Sequence, residues 1–201
     1  GLGKPLKLIN HPVREDIPIA IASLGPTSVE TTAEIADAWL PAFYTAEAAS
    51  TVWGEALKKG ASKRDPQRKP LSIFAGGSVA IGDGFEHLRD LSRPGAALYI
   101  GGMGARSKNF YNDIFSKSGY AAEAKTIQDL YLAGEKKAAE EAIPEEYLAN
   151  SSLIGPEGFV RERLHALKDS GVTSLNINLM GQEVGERVTQ LEKLRNLVDS
   201  M

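Results

Sequence analysis

Residues 17–41 read IPIAIASLGPTSVETTAEIADAWLP, and this stretch decides the fold. Residues 17–23 are apolar with almost no polar interruption, the pattern of a strand covered on both faces of a parallel sheet. A turn follows at Ser23, Leu24, Gly25 and Pro26, then an amphipathic helix over 27–37 with Val29, Ala33 and Ala36 at helical spacing, then a second strand over 39–43. The result is one β-turn-α-β unit with an anion-sized turn at the carboxyl end of its first strand. Backbone N–H groups at a helix start, aided by the helix dipole, hold phosphate in such a place. Pro26 lacks an N–H but fits the first helical position, where that donor is unpaired anyway. Two helix starts compete: a capping box of Thr27 with Glu30, or Pro26 already inside the helix. The first register puts the Glu30 carboxylate beside the turn.

Working outward, residues 46–59 form a helix closed by Gly60, and a polar connector over 61–70 leads to a third strand at 71–81. From 84 to 150 the pattern is helical without a clear strand, interrupted at Pro94, Gly101–Gly104, Gly119 and Pro144. That exceeds an ordinary connection, so 84–150 reads as a helical insertion within a single domain of residues 1–201. A helix over 157–170 is stopped by Gly171, followed by a strand at 172–178. A closing helix over 183–200 carries Val184, Val188, Leu191, Leu194 and Val198 on one face.

Composition narrows the function classes. The 201 residues normally make one domain with a substantial core. With 23 basic and 26 acidic residues the formal charge is -3, which gives no general attraction to nucleic acid or anionic membranes. The absence of cysteine excludes disulfides, thiolate metal sites and a cysteine nucleophile. No apolar run approaches the roughly 20 residues that span a bilayer, and the opening GLGKPLKL has no apolar signal-peptide core. The expectation is a cytoplasmic protein with a small-molecule substrate, no nucleic-acid partner and no membrane association.

The candidate chemistry centres on the turn. The functional reading surrounds a phosphate with backbone groups of Ser23, Leu24 and Gly25 and with the Ser23 hydroxyl, Gly25 allowing close approach of the ligand; the bland reading is a tight strand-to-helix turn. Asp37 and Trp39 fall at the opposite end of the helix and read as capping and packing residues, whereas Phe43, Tyr44 and Thr45 follow the second strand and are candidates to wall a flat ring. Gly101-Gly102-Met103-Gly104 lacks the preceding strand and third glycine of a dinucleotide loop and reads as a flexible break. Beyond it, Arg106 and Lys108 are candidate cations for an anionic substrate or a coenzyme's acidic tail. The basic run Lys58, Lys59, Lys63, Arg64, Arg68 and Lys69 lacks interleaved aromatics and reads as solvated surface. His11, His87 and His165 are far apart, so no metal site is expected. Glu140, Glu141, Glu145 and Glu146 read as solvent-facing charge. A second turn, Ile154-Gly155-Pro156, resembles the first and reads as a helix start.

The run Ala-Ser-x-Gly-Pro, helix, Ala-Asp-x-Trp resembles the phosphate-gripping turn of the luciferase-like monooxygenase superfamily, and within it the oxidoreductases that use coenzyme F420. The likeness extends through residues 1–8 (GLGKPLKL), 101–106 (GGMGAR) and 153–158 (LIGPEG), hence over essentially the whole chain. Ala38 stands where such proteins usually carry glycine. The resemblance implies a TIM-barrel-type α/β fold. A complete (β/α)₈ barrel takes about 250 residues, so this chain corresponds to the C-terminal half with a helical insertion. It implies hydride transfer between the deazaflavin F420 and an organic substrate, with Ser23, Leu24, Gly25 and Pro26 on the coenzyme's phosphate. No catalytic residue is assigned, because in the family the likely proton donors lie in the first half. Flavin mononucleotide (FMN) is the alternative cofactor for the same turn. A non-catalytic paralogue and a barrel that binds sugar phosphates are the alternative functions. A half barrel exposes sheet edges, which predicts a homo-oligomer or association with the N-terminal half.

Overall fold

The computed structural model describes residues 3, 9–11, 13, 14 and 16–201. Of the resembling run at residues 1–8, all but Gly3 lies outside the described residues.

The chain alternates strand and helix. β1 (Ala20–Ala22) leads through α1 (Pro26–Ile35) to β2 (Ala38–Leu40), and α2 (Ala46–Lys63) leads to β3 (Ser72–Ile81). The segment after β3 is mainly helical, with one isolated antiparallel bridge at Ala105↔Lys108: a 3₁₀ turn at Glu86–Ser92, then α3 (Arg93–Ala97), α4 (Phe110–Phe115), α5 (Ala121–Leu132), α6 (Lys136–Glu141) and α7 (Glu145–Asn150). β4 (Leu153–Gly155), α8 (Glu157–Asp169), β5 (Ser174–Leu179) and α9 (Val184–Asp199) complete the order.

Among the described residues the five named strands pair only in parallel. β1 pairs β2 with Ile21 opposite Trp39, and β2 pairs β3 with Trp39 opposite Ile73. The ten-residue β3 is central: β5 runs beside it from Phe74↔Ser174 to Val79↔Leu179, and β4 joins its carboxyl end through Val79↔Leu153 and Ile81↔Gly155. Parallel strands need crossover helices, and α1, α2 and α8 supply them.

Several elements differ from the expectation, each for a physical reason. The first strand is three residues long, and Ile17 and Ile19 are 68% and 57% exposed rather than covered. Among the described residues β1 pairs only with β2, so an apolar run that reads as interior sits on an edge. α1 starts at Pro26, with Gly25 in extended N-cap geometry; the Thr27–Glu30 capping box is not made, and Glu30 pairs with Lys63 on α2 instead. α2 does not stop at Gly60 but runs through it to Lys63. Gly60 is where α1 and α2 touch: a Cβ there would lie 2.1 Å from the Glu30 carbonyl oxygen and 2.6 Å from Ala33 Cβ. On α9 only Leu194 of the five expected apolar residues is buried, while Val184, Val188, Leu191 and Val198 are exposed. The helix is rotated to present Gln190 and Lys193 to the end of β3: Gln190 Oε1 accepts from Ile81 N–H at 2.6 Å, and Lys193 Nζ donates to the Ile81 carbonyl at 2.9 Å. Gly171 does end α8, at φ 99°.

Two apolar clusters result. One joins the sheet to its helices through Val29, Trp39, Trp53, Val79, Leu153 and Leu164. The other, around Ala97, Ile100, Phe115, Ile127 and Leu148, lies within the helical segment. Phe43 packs against both. Arg163, 8% exposed, ties α8 to α2 through both carboxylate oxygens of Glu47 and reaches the Asn150 carbonyl at 2.9 Å. Among the described residues no helix is long and apolar enough to cross a membrane.

Two stability predictions follow from this packing. Gly60→Ala drives a methyl into the backbone of α1; overpacking costs about 1–3 kcal/mol, more than the ~1 kcal/mol a helical Gly→Ala change returns. Urea unfolding is expected to show a lower midpoint at unchanged slope. The second concerns Glu47. Its partial burial raises the carboxyl pKa, but the hydrogen bond from Arg163, a backbone hydrogen bond and the guanidinium charge outweigh this and hold it below the usual range. A depressed folded-state pKa stabilises above the unfolded value and is lost as pH falls through the folded one. Glu47→Gln is expected to flatten the acid limb of stability below the ordinary carboxylate pKa, read by urea midpoints across the acid range.

Candidate functional site

The turn at Ser23–Pro26 sits at the carboxyl end of β1, where barrel enzymes place their sites, and its carbonyls point inward. Trp39 Nε1–H donates to the Ser23 carbonyl at 2.9 Å, and Trp53 Nε1–H donates to the Leu24 carbonyl at 3.1 Å. The Gly25 carbonyl accepts from Val29 N–H at 2.9 Å as α1 begins. The first-turn donors of α1, Thr27 and Ser28 N–H, have no acceptor within the helix. Open space surrounds Gly25: nothing lies within 4 Å of where a Cβ would be.

The Ser23 hydroxyl behaves differently from the expectation. Thr32 Oγ1 donates its single proton to the Ser28 carbonyl at 2.8 Å, so the 2.8 Å contact between Ser23 Oγ and Thr32 Oγ1 uses the Ser23 proton. Ser23 is 8% exposed, and its hydroxyl is engaged by Thr32 on α1. What the turn offers an anion is backbone.

A cavity of about 430 Å³ lies against the turn, bounded by Ser23, Leu24, Gly25 and Ser28 on one side and by Leu40, Phe110 and Tyr111 on the other. A second cavity, about 460 Å³, adjoins it and shares Ala42 and Tyr111. Its floor is Phe74, Gly76 and Ser78 of β3 with Asn176 of β5, and its walls are Phe43, Tyr99, Tyr111 and Tyr147. Phe43 lies 5.6 Å from Tyr111, 6.0 Å from Tyr99 and 6.2 Å from Tyr147, while Tyr99 and Tyr111 meet edge to face at 4.8 Å. Among the described residues no charged side chain lines this cavity. Burial pushes the Tyr147 hydroxyl well above its ordinary pKa, against a hydrogen bond with Ser151, so that wall stays neutral.

The other sequence candidates divide. Phe43 reaches the cavity as the wall it was read to be. Tyr44 also touches it, but its ring is buried against Trp53, nearly parallel at 4°, and its hydroxyl donates to Ser170; Thr45 is buried as the N-cap of α2. Asp37 anchors the far end of β1, its carboxylate accepting from Ile19 N–H at 2.8 Å. Trp39 packs, as expected, with no exposure, but it also holds the turn through its indole. Arg106 pairs with Asp129 and lines neither cavity; Lys108 lines neither as well. Gly101 and Gly102 are not a flexible break: a Cβ on either would lie within 2.5 Å of Tyr131, whose ring packs on them. Within the basic run, Arg64 donates to the Ala33 and Ala36 carbonyls and Arg68 to that of Ile35, closing the end of α1. The second turn is held by Arg89, which donates to the Ile154 carbonyl and stacks over Phe159 at 4.7 Å. Among the described residues no group of His, Cys, Asp or Glu is placed to hold a metal.

Sequence reasoning missed Ser28, Tyr99, Tyr111, Tyr147 and Asn176. The tyrosines come from three separate helical stretches, and only tertiary packing brings them to Phe43. Ser28 had a signal, as the third helical residue once Pro26 is counted first.

The chain is similar to known proteins along most of its length. The profile described as luciferase-like monooxygenase matches residues 4–174. A Mycobacterium tuberculosis (strain ATCC 25618 / H37Rv) protein named "Putative coenzyme F420-dependent oxidoreductase Rv3520c" is 36% identical over 177 residues, covering 87% of this chain and 51% of its own length. Two solved structures share the fold. The coenzyme F420-dependent tetrahydromethanopterin reductase of Methanopyrus kandleri has a TM-score of 0.62 at 17% identity, over 89% of this chain and 49% of that one. An F420-dependent secondary alcohol dehydrogenase, solved with an F420-acetone adduct, has a TM-score of 0.61 at 10% identity, over 92% and 49%. The chain thus spans about half the length of these relatives, and its parallel β/α units form a partial (β/α) barrel.

The indole clamp on the turn is directly testable. Trp39→Phe leaves the buried Ser23 carbonyl without its donor and opens space beside Trp53. Such losses cost at least about 2 kcal/mol, so the urea midpoint should fall markedly. An unchanged midpoint would show that the turn does not depend on the indole.

Proposed function

The chain belongs to the luciferase-like monooxygenase family, and on that premise we propose that it serves a coenzyme F420-dependent oxidoreductase reaction in which hydride passes between the deazaflavin and an organic substrate. One observation carries the reading: the α1 N-terminus, with first-turn donors that have no acceptor within the helix and open space at Gly25, faces a cavity that adjoins a second, ring-lined one through Ala42 and Tyr111.

The residues present fit such a coenzyme. Its phosphate would be held by backbone N–H groups of Ser23, Leu24 and Gly25 in the turn and of Thr27 and Ser28, with Pro26 shaping the helix start without donating. No acidic residue occupies the first turn of α1, and Glu30 is drawn away by Lys63, so the positive end of the helix dipole is uncompensated. Trp39 and Trp53 act as positioning residues by fixing the carbonyls. Bound F420 supplies the two-electron redox chemistry itself. This chain contributes binding, orientation and a dry wall; no acid or base among its described residues is assigned to proton transfer.

The helical segment over 84–150 reads as an insertion in one barrel domain of residues 1–201, covering the second cavity with Tyr99, Tyr111 and Tyr147. The edge of β1 and the apolar stripe Val184, Val188, Leu191 and Val198 are surfaces on which a homo-oligomer or an N-terminal half barrel would pack. The reading includes a cytoplasmic setting, consistent with a soluble coenzyme.

Titration of F420 and FMN against the chain, and against the chain joined to its upstream coding sequence, tests the proposal. F420 should bind at least one form more tightly than FMN does. Gly25→Asp should weaken it by about tenfold or more, ~1.4 kcal/mol, with folding intact because the site has room for the side chain. Ser23→Ala should change affinity little, since that hydroxyl faces Thr32. Failure of both forms to bind either cofactor would overturn the assignment.

A further inference from the structure

We infer that the cavity between β3 and the helical segment is the seat of the organic substrate and selects a flat, uncharged ring, an inference that rests on the oxidoreductase reading above and names its substrate class. Its size, about 460 Å³, is within the range of small-molecule sites.

The selection follows from what lines the cavity. Phe43, Tyr99, Tyr111 and Tyr147 give it aromatic faces and edges, with planes inclined at 52° and 62° between Phe43 and its two nearer neighbours. A flat ring inserted among them finds both stacking and edge-to-face partners. Ser78, Ser151 and Asn176 supply neutral hydrogen-bonding groups for a hydroxyl or carbonyl substituent. Among the described residues neither sign of charge is matched: with no Lys, Arg or His in the lining an anion gives up hydration without a counter-charge, and with no Asp or Glu a cation does too.

A strained backbone marks the same place. Phe43 has φ 58°, the left-handed region, and among the described residues no other non-glycine has a positive φ. A bulky side chain adopts it only where surrounding packing over-determines it. Here the conformation turns the chain after β2 so that the Phe43 ring meets Tyr99, Tyr111 and Tyr147 while the next residue, Tyr44, points into the sheet cluster. The wall is therefore built into the backbone.

Calorimetric titration at neutral pH with 2-naphthol, 2-naphthoate and 2-naphthyltrimethylammonium tests the selection with one ring in three charge states. Naphthol should bind about tenfold tighter than either ion. Phe43→Gly, which keeps the backbone conformation and removes the ring, and Tyr99→Ala, at a side chain already 38% exposed, should each weaken naphthol about fivefold and leave the ions unchanged. Naphthol should still bind to protein saturated with F420. Equal or tighter binding of an ion, or indifference of naphthol to both variants, would overturn the selection; displacement of naphthol by F420 would overturn the assignment to substrate. F420 binding is read separately, so its failure would overturn the coenzyme reading and not the ring selection.

Discussion

Two indole hydrogen bonds hold the geometry on which the rest depends. Trp39 on β2 and Trp53 on α2 donate to the successive carbonyls of Ser23 and Leu24. A turn between a strand and a helix must place its carbonyls somewhere, and buried ones need donors. By taking both carbonyls inward, the indoles leave the start of α1 facing outward. The two rings also meet edge to face at 5.3 Å, and Tyr44 stacks on Trp53 at 5.8 Å. The pair therefore joins strand, turn and helix in one packed unit, with Trp39 wholly buried and Trp53 only 1% exposed.

Phe43 is the second joint. Its backbone lies in a conformation costing of order 1–3 kcal/mol, and its ring packs against both apolar clusters. The strain is sustained because that ring is shared: relaxing φ to the ordinary range would withdraw it from one cluster or the other. The sheet and the helical segment thus meet at the carboxyl ends of the strands, and the ring-lined cavity opens at that seam.

Much of this was legible in the sequence and some was not. The order of strands and helices around Gly25-Pro26 and Gly171 followed from turn chemistry and periodicity, because those are local. Gly60 was misread as a helix stop, since the same residue serves where two helices touch, and only the approach of the Glu30 carbonyl distinguishes the roles. Gly101 and Gly102 misled in the same way, Tyr131 lying 29 or more positions further along the chain. The α9 stripe failed for another reason: periodicity finds an apolar face but does not say which face a neighbour needs. There the Ile81 N–H and carbonyl, past the last pairing of β3 with β5, drew Gln190 and Lys193 toward the strand end. At the turn, sequence pattern located the backbone correctly, but whether the Ser23 hydroxyl was available depended on Thr32, nine residues away.

Charge placement makes the turn and the cavity parts of one design. Of the helices with eight or more residues among the described ones, α2, α5, α8 and α9 carry Glu in the first turn, and α1 alone carries no acid there. The basic side chains nearest α1 do not compete for an anion at its start: Lys63 is paired with Glu30, and Arg64 and Arg68 bind the carbonyls at its opposite end. An anion at the turn would therefore meet fixed backbone dipoles, which lose no side-chain entropy on binding and cannot swing into the adjoining cavity. A lysine or arginine serving the same phosphate would have put a mobile charge beside the aromatic walls. An anion held there by backbone alone would let the neighbouring cavity remain uncharged, and a ring bound in it would meet only the neutral groups of the described lining.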